Sequence, residues 1–583
     1  MKPASPDPRR RLMGVLAIVG GGLLVYANHL TNPFQFDTVR FIQENRLFAE
    51  PGRILSWDYF IGNYFSRSGL FWTLALNARW HGLDPFGFHL VNLMFHLMNA
   101  LLVFGVSLQA CRYFRLQTGG DKSWAVALAT ALLFALHPIQ TESVVYIMSR
   151  SELIAGWWYL LAFYLFQKAV DPEARPSSTY RFLVLPGAVA LALVLGYSVK
   201  PTIATLPAAM LVYYLLGPDR KETVRRQLIR WRHGLLAGAL LGLGLLVYKL
   251  VSDPYFLAGS PAAVEQVGRS TYLLSQPWVI VFYYLRLMLF PINLNIDPDL
   301  PRVEQIGSVY FLSGTAVLVL GLWWAARAGN RVFLFGVLWY LLVLAPSSSF
   351  VTLLDLAAEH RVYLAGWGLI FPAVAGGVRL ARRFPAHLRR PVLAGACCLI
   401  LLCLGLLTIH RNSVWASELR LWEDAHHKSP RKARPLVNLA RAWALAGDRA
   451  RAIDYYEKAL QGGRHFFQAH YNLAVLYVER GREEEALKHF RLAAALDPKV
   501  PDVHGWLGEI YLRRGDLQAA EAHLRQAVEL NPRYAAAFRS LGILYYFYLK
   551  DRVRARAFFA RSLHLAPDQP DAGRLRRLLA EDS

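Results

Sequence analysis

Residues 473–498 read Leu473-Ala-Val-Leu-Tyr-Val-Glu-Arg-Gly481-Arg-Glu-Glu-Glu-Ala486-Leu-Lys-His-Phe490-Arg-Leu-Ala-Ala-Ala-Leu-Asp-Pro498, and this pattern returns every 34 positions. Leu439, Leu473, Leu507 and Leu541 mark the period, each followed by a small residue: Ala440, Ala474, Gly508 and Gly542. Ala452, Ala486, Ala520 and Ala555 come 13 or 14 positions after the leucines, then Tyr456, Phe490, Leu524 and Phe559. Pro498, Pro532 and Pro567 close three of the units. Each unit has the logic of a helix pair: small residues let two helices touch, large ones fill the gap, and proline stops the second helix.

Four units in register make this the tetratricopeptide pattern, and residues 431–583 are expected to form an α-solenoid of about four repeats. The region holds 26 Lys and Arg against 18 Asp and Glu. That excess suits either a mildly basic concave face or an ordinary solvated surface.

Upstream the chain changes character. Over all 583 residues, 55% are hydrophobic and 13% aromatic, too apolar and too long for one soluble domain. Apolar runs approaching the roughly 20 residues a bilayer core requires recur to about Ile409 and then stop. The candidate spans are 12–29, 88–110, 124–136, 152–167, 182–197, 202–216, 234–251, 309–326, 332–345, 362–378 and 391–409. The expected fold class is therefore all-α: a polytopic membrane bundle of about eleven spans over 1–410, a connector over 411–430, then the repeats. The first run follows Lys2, Arg9, Arg10 and Arg11 without a convincing small-residue cleavage site, which favours an uncleaved span. Cys111, Cys397, Cys398 and Cys403 have no disulfide or metal-ligand spacing.

Charge orients the bundle, because Lys and Arg are retained in cytoplasmic loops. With the N-terminus inside and 272–290 not crossing, segments 1–11, 111–123, 168–181, 217–233, 326–331 and 379–390 hold 23 Lys and Arg in 73 residues. Segments on the other side hold 11 in 150. Letting 272–290 cross would move the Arg379, Arg382, Arg383, Arg389 and Arg390 cluster outside, so it reads as an interfacial or re-entrant helix. The expectation is an inner (cytoplasmic) membrane protein with a cytoplasmic N-terminus and periplasmic or otherwise extracytoplasmic repeats. The net charge of +23 is then loop charge, and no nucleic-acid partner is expected, since no basic stripe is interleaved with stacking aromatics.

Polar groups gather at the non-cytoplasmic ends of the spans. Asp37 lies about eight residues past span one, after the turn-forming Asn32-Pro33. Arg67, His89, Asn92 and His96 precede or enter span two; His137, Glu142, Arg150 and Glu152 lie between spans three and four. Lys200 sits in a very short turn, Arg286 on the interfacial helix, and Glu359, His360, Arg361 and Tyr363 open span ten. Each alone is as readily a turn, ion pair or interfacial anchor, but ionisable groups at membrane depth need partners or a wet cavity, and these converge on one face. The chemistry that suits such a face is substitution at an anomeric carbon bearing a lipid phosphate. A carboxylate takes the acceptor proton, while Arg, Lys or a divalent metal stabilises the departing phosphate.

Three stretches carry a resemblance: Asp84-Pro-Phe-Gly-Phe-His-Leu-Val-Asn-Leu with His96; His137-Pro-Ile-Gln-Thr-Glu142 through Ser149-Arg150-Ser-Glu152; and Asp355-Leu-Ala-Ala-Glu359-His-Arg-Val-Tyr363. They resemble membrane glycosyltransferases with tetratricopeptide repeats, relatives of the protein O-mannosyltransferases within the C-type superfamily, over nearly the whole chain. The resemblance implies that Asp37 is the catalytic acid of the first outer loop. It implies that Arg67, Arg150, Lys200, Arg286 and Arg361 are candidates for binding phosphate or anchoring loops; His89, His137, Glu142, Glu359 and His360 are further candidates for the substrate and phosphate site. Family members commonly carry two adjacent acids where this chain has Asp37-Thr38, and an acid where Pro201 follows Lys200, so no metal ligand set is complete and no cofactor is certain.

The resulting expectation is transfer of a sugar from a polyprenyl-phosphate donor to a protein or glycan hydroxyl, with the repeats docking the acceptor. The alternatives are a non-catalytic, membrane-anchored repeat scaffold for envelope proteins and, less compatible with the absence of an internal repeat among the spans, a transporter.

Overall fold

The computed structural model describes residues 8–62, 65–116, 120–171, 179–217, 267–349, 352–461 and 466–581. Among them the regular structure is helical throughout. The chain divides into two compact units, 1–428 and 429–583.

Among the described residues of the first unit, five helices are long and apolar enough to cross a membrane: Pro8–His29, Pro85–Tyr113, Ile147–Val170, Val309–Arg327 and Ala386–Val414. A sixth is counted if Ser123–Leu136 and Pro138–Val145, bent by 51° at His137, make one span. Leu185–Tyr197, Pro201–Leu215 and Arg331–Ser347 are apolar but shorter, and Gly366–Leu380 occupies the tenth candidate. Ten of the eleven expected spans thus fall on helices, and 234–251 lies outside the described residues. Among the described residues, the number meeting the full length requirement is lower than eleven because 234–251 lies outside them and Leu185–Tyr197, Pro201–Leu215 and Arg331–Ser347 are short.

The core of this unit packs Pro85–Tyr113 against Gly120–Leu136 and Arg150–Val170, with Trp339, Trp367 and Phe163 interlocked edge to face at its centre. By contrast, only 17% of the apolar window of Ala386–Val414 and 11% of that of Val309–Arg327 is buried, leaving surfaces suited to hydrocarbon. The 272–290 segment is one helical run, Arg269–Trp278, a wide turn at Val279–Leu285, and Arg286–Leu289. It lies tight against Val309–Arg327: a Cβ on Gly314 would sit 2.6 Å from the Pro277 carbonyl carbon. After Val414 the connector forms the helix Glu418–Lys428, which packs within this same unit.

The second unit is three regular helix pairs, Ala433–Leu445 with Arg449–Leu460, Phe467–Glu479 with Glu483–Leu496, and Pro501–Arg514 with Leu517–Leu530. Ala535–Ile543 with Arg552–Leu565 makes a fourth pair, and Ala572–Glu581 ends the unit. Leu439, Leu473, Leu507 and Leu541 are buried, as are Ala452, Ala486, Ala520 and Ala555. Gly508 and Gly542 are needed for contact, since a Cβ would come within 2.5 Å of Leu524 and 2.4 Å of Phe559. Gly447, Gly481 and Gly515 take the left-handed turn between paired helices at φ +86°, +70° and +79°. The fourth unit carries one extra residue, absorbed as the wide turn Leu544–Tyr548, which moves the left-handed position to Lys550 at φ +58°. That insertion is why the last spacing in the sequence is 14 rather than 13.

Candidate active site

Asp37 sits on a tight turn after the first long helix. The Thr38 amide donates to Gln35 O (3.1 Å) and the Val39 amide to Phe36 O (3.2 Å), so the chain wraps around the carboxylate. Phe36 adopts φ +55°, a left-handed conformation that costs a side chain of this size about 1–2 kcal/mol. Asp37 is half-buried and accepts from the Tyr146 hydroxyl (3.3 Å). Next to it in sequence and space, Asn32, Pro33, Gln35, Thr38, His89, Val145, Tyr146, Ile147 and Trp415 line a small hollow, partly open to solvent, whose free volume of about 10 Å³ has room for little more than one water.

Tyr146 ends the short helix Thr141–Val145, which also carries Glu142. The buried Glu142 carboxylate accepts from His360 twice, from the backbone amide (3.1 Å) and from Nδ1 (2.6 Å). On its other side, His360 Nε2 lies 3.9 Å from Glu152 Oε1, and Glu152 in turn is hydrogen-bonded and ion-paired to Lys200 Nζ. A row of polar groups therefore runs from Asp37 through Tyr146, Glu142, His360 and Glu152 to Lys200, with the step from Tyr146 to Glu142 made through the backbone, where the Tyr146 amide donates to Glu142 O (3.3 Å). Its members come from four separate stretches of sequence. Proline and helix-breaking turns at Pro138 and Pro201 let these stretches end together at one end of the bundle.

Glu359 makes a different set of contacts, within electrostatic reach of Glu142. It accepts from the Asn295 amide and from the Tyr283 hydroxyl (3.4 Å), with Arg411 Nη2 at 3.8 Å. Burial pushes its carboxyl up to about 8, against the pull of Arg411. Arg411 itself pairs with Asp424 (2.8 Å), which Lys428 also contacts (2.6 Å), so this network fastens the connector helix to the bundle.

The other sequence candidates divide by what their donors do. Arg150 is fully buried; Nε donates to Asn92 Oδ1 (2.7 Å), Nη1 to Thr73 O (3.2 Å), and Nη2 to Asn77 Oδ1 (2.9 Å) and Phe88 O (2.9 Å). Arg361 donates to Tyr272, to Leu356 O and to Asp355 O, bracing its own loop. These two guanidiniums are committed to the scaffold. His137 caps its short helix by accepting from the Ile139 amide, and its Nε2 donates to Met288 O; His89 donates to Asn32 O (3.0 Å) on the rim of the hollow. Arg67 is exposed, within electrostatic reach of Tyr146. Arg286 is half-buried on its helical run. Among the described residues no three His, Cys, Asp or Glu side chains gather as a metal would require.

Sequence reasoning named Glu152 and, as a connector aromatic, Trp415, but gave neither a role, and it missed Tyr146 and Glu418. Tyr146 lies four residues past Glu142 on one helical turn, a spacing that could have flagged it. Trp415 and Glu418 come from almost 380 residues beyond Asp37, and no local pattern announces them.

The tetratricopeptide repeat family matches residues 444–510 and 481–541. The chain is 24% identical over 564 residues to protein O-mannosyl-transferase Tmtc3 of Drosophila melanogaster, covering 85% of this chain and 60% of the relative. It is 23% identical over 539 residues to protein O-mannosyl-transferase TMTC1 of Homo sapiens, covering 83% and 55%. The chain thus spans somewhat over half the length of these curated relatives. Among solved structures, a thermophilic tetratricopeptide protein of Thermus thermophilus is 25% identical at a TM-score of 0.23, covering 29% of this chain and 91% of its own.

Proposed function

We propose that this protein, similar along most of its length to tetratricopeptide-repeat protein O-mannosyl-transferases, moves one sugar from a polyprenyl-phosphate carrier to a hydroxyl of a protein or glycan acceptor. Mannose is the sugar suggested by the names of the relatives. The observation that carries the reading is the setting of Asp37: a half-buried carboxylate fixed on a strained turn and bonded to Tyr146, which ends the same short helix that carries the buried Glu142 paired with His360.

In the reaction, the acceptor oxygen attacks C1 of the sugar as the C1–O bond to phosphate breaks on the opposite face, inverting the anomeric centre. Asp37 takes the acceptor proton. The polyprenyl phosphate leaves as an anion and needs no proton, only positive charge to stabilise it. Arg67, Arg286 and Lys200, the last held by Glu152, are the cations assigned to it. Arg150 and Arg361, whose donors are already used, hold the helices and the 355–363 loop in place. Charge asymmetry among the loops supports a cytoplasmic membrane location, N-terminus inside, with this chemistry and the repeats on the far side. The repeats, a stack of helix pairs with a long inner surface, would dock the acceptor.

The test is Asp37→Asn, produced at unchanged membrane abundance in source cells deleted for the gene, with O-linked sugar on membrane and secreted proteins released by β-elimination and quantified. Loss of the protein-linked sugar is expected. Full retention would refute the role of Asp37 and leave the membrane-anchored scaffold as the better reading.

A further inference from the structure

The turn that carries Asp37 is held by the connector that leads to the repeats. Glu418 opens the helix Glu418–Lys428, and its Oε1 accepts the Phe36 amide at 3.2 Å across 382 residues of sequence. The Trp422 ring meets the Phe36 ring edge on at 5.5 Å. Gln35, one residue earlier, donates its side-chain amide to Trp415 O. The Trp415 ring stacks on Tyr146 at 5.8 Å, and Tyr146 is the residue that donates to Asp37. Both neighbours of the carboxylate, the residue before it and the hydroxyl that faces it, are therefore set by residues 415–422.

Phe36 makes this arrangement necessary. A left-handed phenylalanine persists only where its surroundings over-determine it. The turn's own hydrogen bonds, Thr38 to Gln35 and Val39 to Phe36, leave the Phe36 amide for an external acceptor, and a carboxylate is the strongest acceptor a side chain offers. We infer that Glu418 is a positioning residue for Asp37: it fixes the Phe36 amide, and through it the direction of the carboxylate. This rests on the reading of Asp37 as the base. It adds that the bundle alone does not complete the site, and that the segment joining it to the repeats does.

Glu418 also sits in the first turn of its helix, where any acid is favourable. Glu418→Gln separates the two roles, because the amide oxygen can still accept the Phe36 amide while the charge is gone. The experiment uses the full chain in nanodiscs, with hydrogen exchange of residues 34–39 and steady-state transfer from a short-chain polyprenyl-phosphate mannose to a serine- and threonine-rich peptide pool. For Glu418→Ala, exchange at the Phe36, Thr38 and Val39 amides should rise about tenfold or more and kcat fall roughly 10- to 100-fold, as for a displaced catalytic group. Donor KM should stay within about twofold, because ground-state binding is untouched. Glu418→Gln should recover both exchange and kcat to within about threefold of the parent. Should Glu418→Ala fail to reach the membrane, Glu418→Asp, with the carboxylate drawn back by one methylene, carries the same readouts and should show the same loosening. Unchanged exchange at the three amides in the shortened variant, or Glu418→Gln as impaired as Glu418→Ala, overturns the inference. Asp37→Asn in the same assay judges the base separately: if it stays active the functional reading fails, whatever the loop does.

Discussion

The two units of this chain solve the problem of polar groups in opposite ways. In the repeats, charged side chains are surface features, paired within a helix or with the neighbouring repeat: Lys458 with Asp454, Arg513 with Glu483, Arg449 with Glu479, all well exposed. In the bundle, charges are buried and meet partners far away in sequence. Glu142 and His360 are 218 residues apart, and Arg411 reaches Glu359. Exposed pairs are individually expendable, whereas buried ones hold the structure only as complete sets. The repeats are thus a surface for docking, and the bundle is an interior in which an expensive cluster persists.

Several changes would break or sharpen that contrast. The largest effect should come from Glu142→Ala, which strands His360 and opens the chain of groups between Asp37 and Lys200. A loss of about 3–5 kcal/mol in stability is expected, measured as a lower unfolding temperature in detergent, together with loss of transfer. In the repeats, damage should come from shape and not charge. Gly508→Leu drives a side chain into Leu524 and should cost about 1–3 kcal/mol, read as faster proteolysis of residues 429–583 with transfer chemistry in the bundle retained.

The pH dependence should run in opposite directions in the two units. Glu359, raised to about 8 by burial, holds a proton in the folded state that the unfolded chain releases above the ordinary glutamate range. The stability it contributes is present at low pH and is lost as pH rises from about 4.5 through about 8. Glu359→Gln should flatten that fall. In the repeats, His489 contacts His470 Nδ1 to Nδ1 at 2.9 Å, and His523 contacts His504 at 3.2 Å. Burial, then Lys488, lowers His489; burial, then His504 and Arg491, lowers His523, and Glu485 opposes the shift at His489. Their stability is full above about 6.5 and is lost as pH falls below it. Hydrogen exchange of 467–530 should therefore accelerate at pH 5 relative to 7.5, and the double change His489→Gln with His523→Gln should remove the acceleration. The smallest effect is expected for Glu479→Ala, which removes an exposed pair with Arg449 and should cost less than about 1 kcal/mol by thermal unfolding.

What the sequence revealed follows the same division. The repeats were legible to the residue because a solenoid is built from local contacts, so leucine, small residue and large residue recur with the period of the structure. Even the extra residue before Ala555 was visible as a spacing, although only its absorption at Leu544–Tyr548 explains it. Helices in the bundle were legible from apolar runs, but their lengths were not, since hydropathy does not mark where the regular α-helix gives way to wide or tight turns such as Tyr180–Val184 and Pro201–Thr205. At the candidate site, residue types signalled that Asp37, Glu142, Lys200 and His360 belong together. They could not signal that Arg150 and Arg361 spend their donors on Asn77, Asn92, Tyr272 and backbone carbonyls. Nor could they signal that Glu418 closes the turn at Phe36. Such partners are chosen by tertiary proximity, for which one chain offers no local pattern.

The most direct measurement is a cryo-electron microscopy map of the Asp37→Asn protein in nanodiscs saturated with polyprenyl-phosphate mannose. Density for the sugar phosphate is predicted beside residue 37, with the phosphate toward Lys200. A saturated map with no sugar beside residue 37 and the lipid phosphate bound elsewhere would contradict the account.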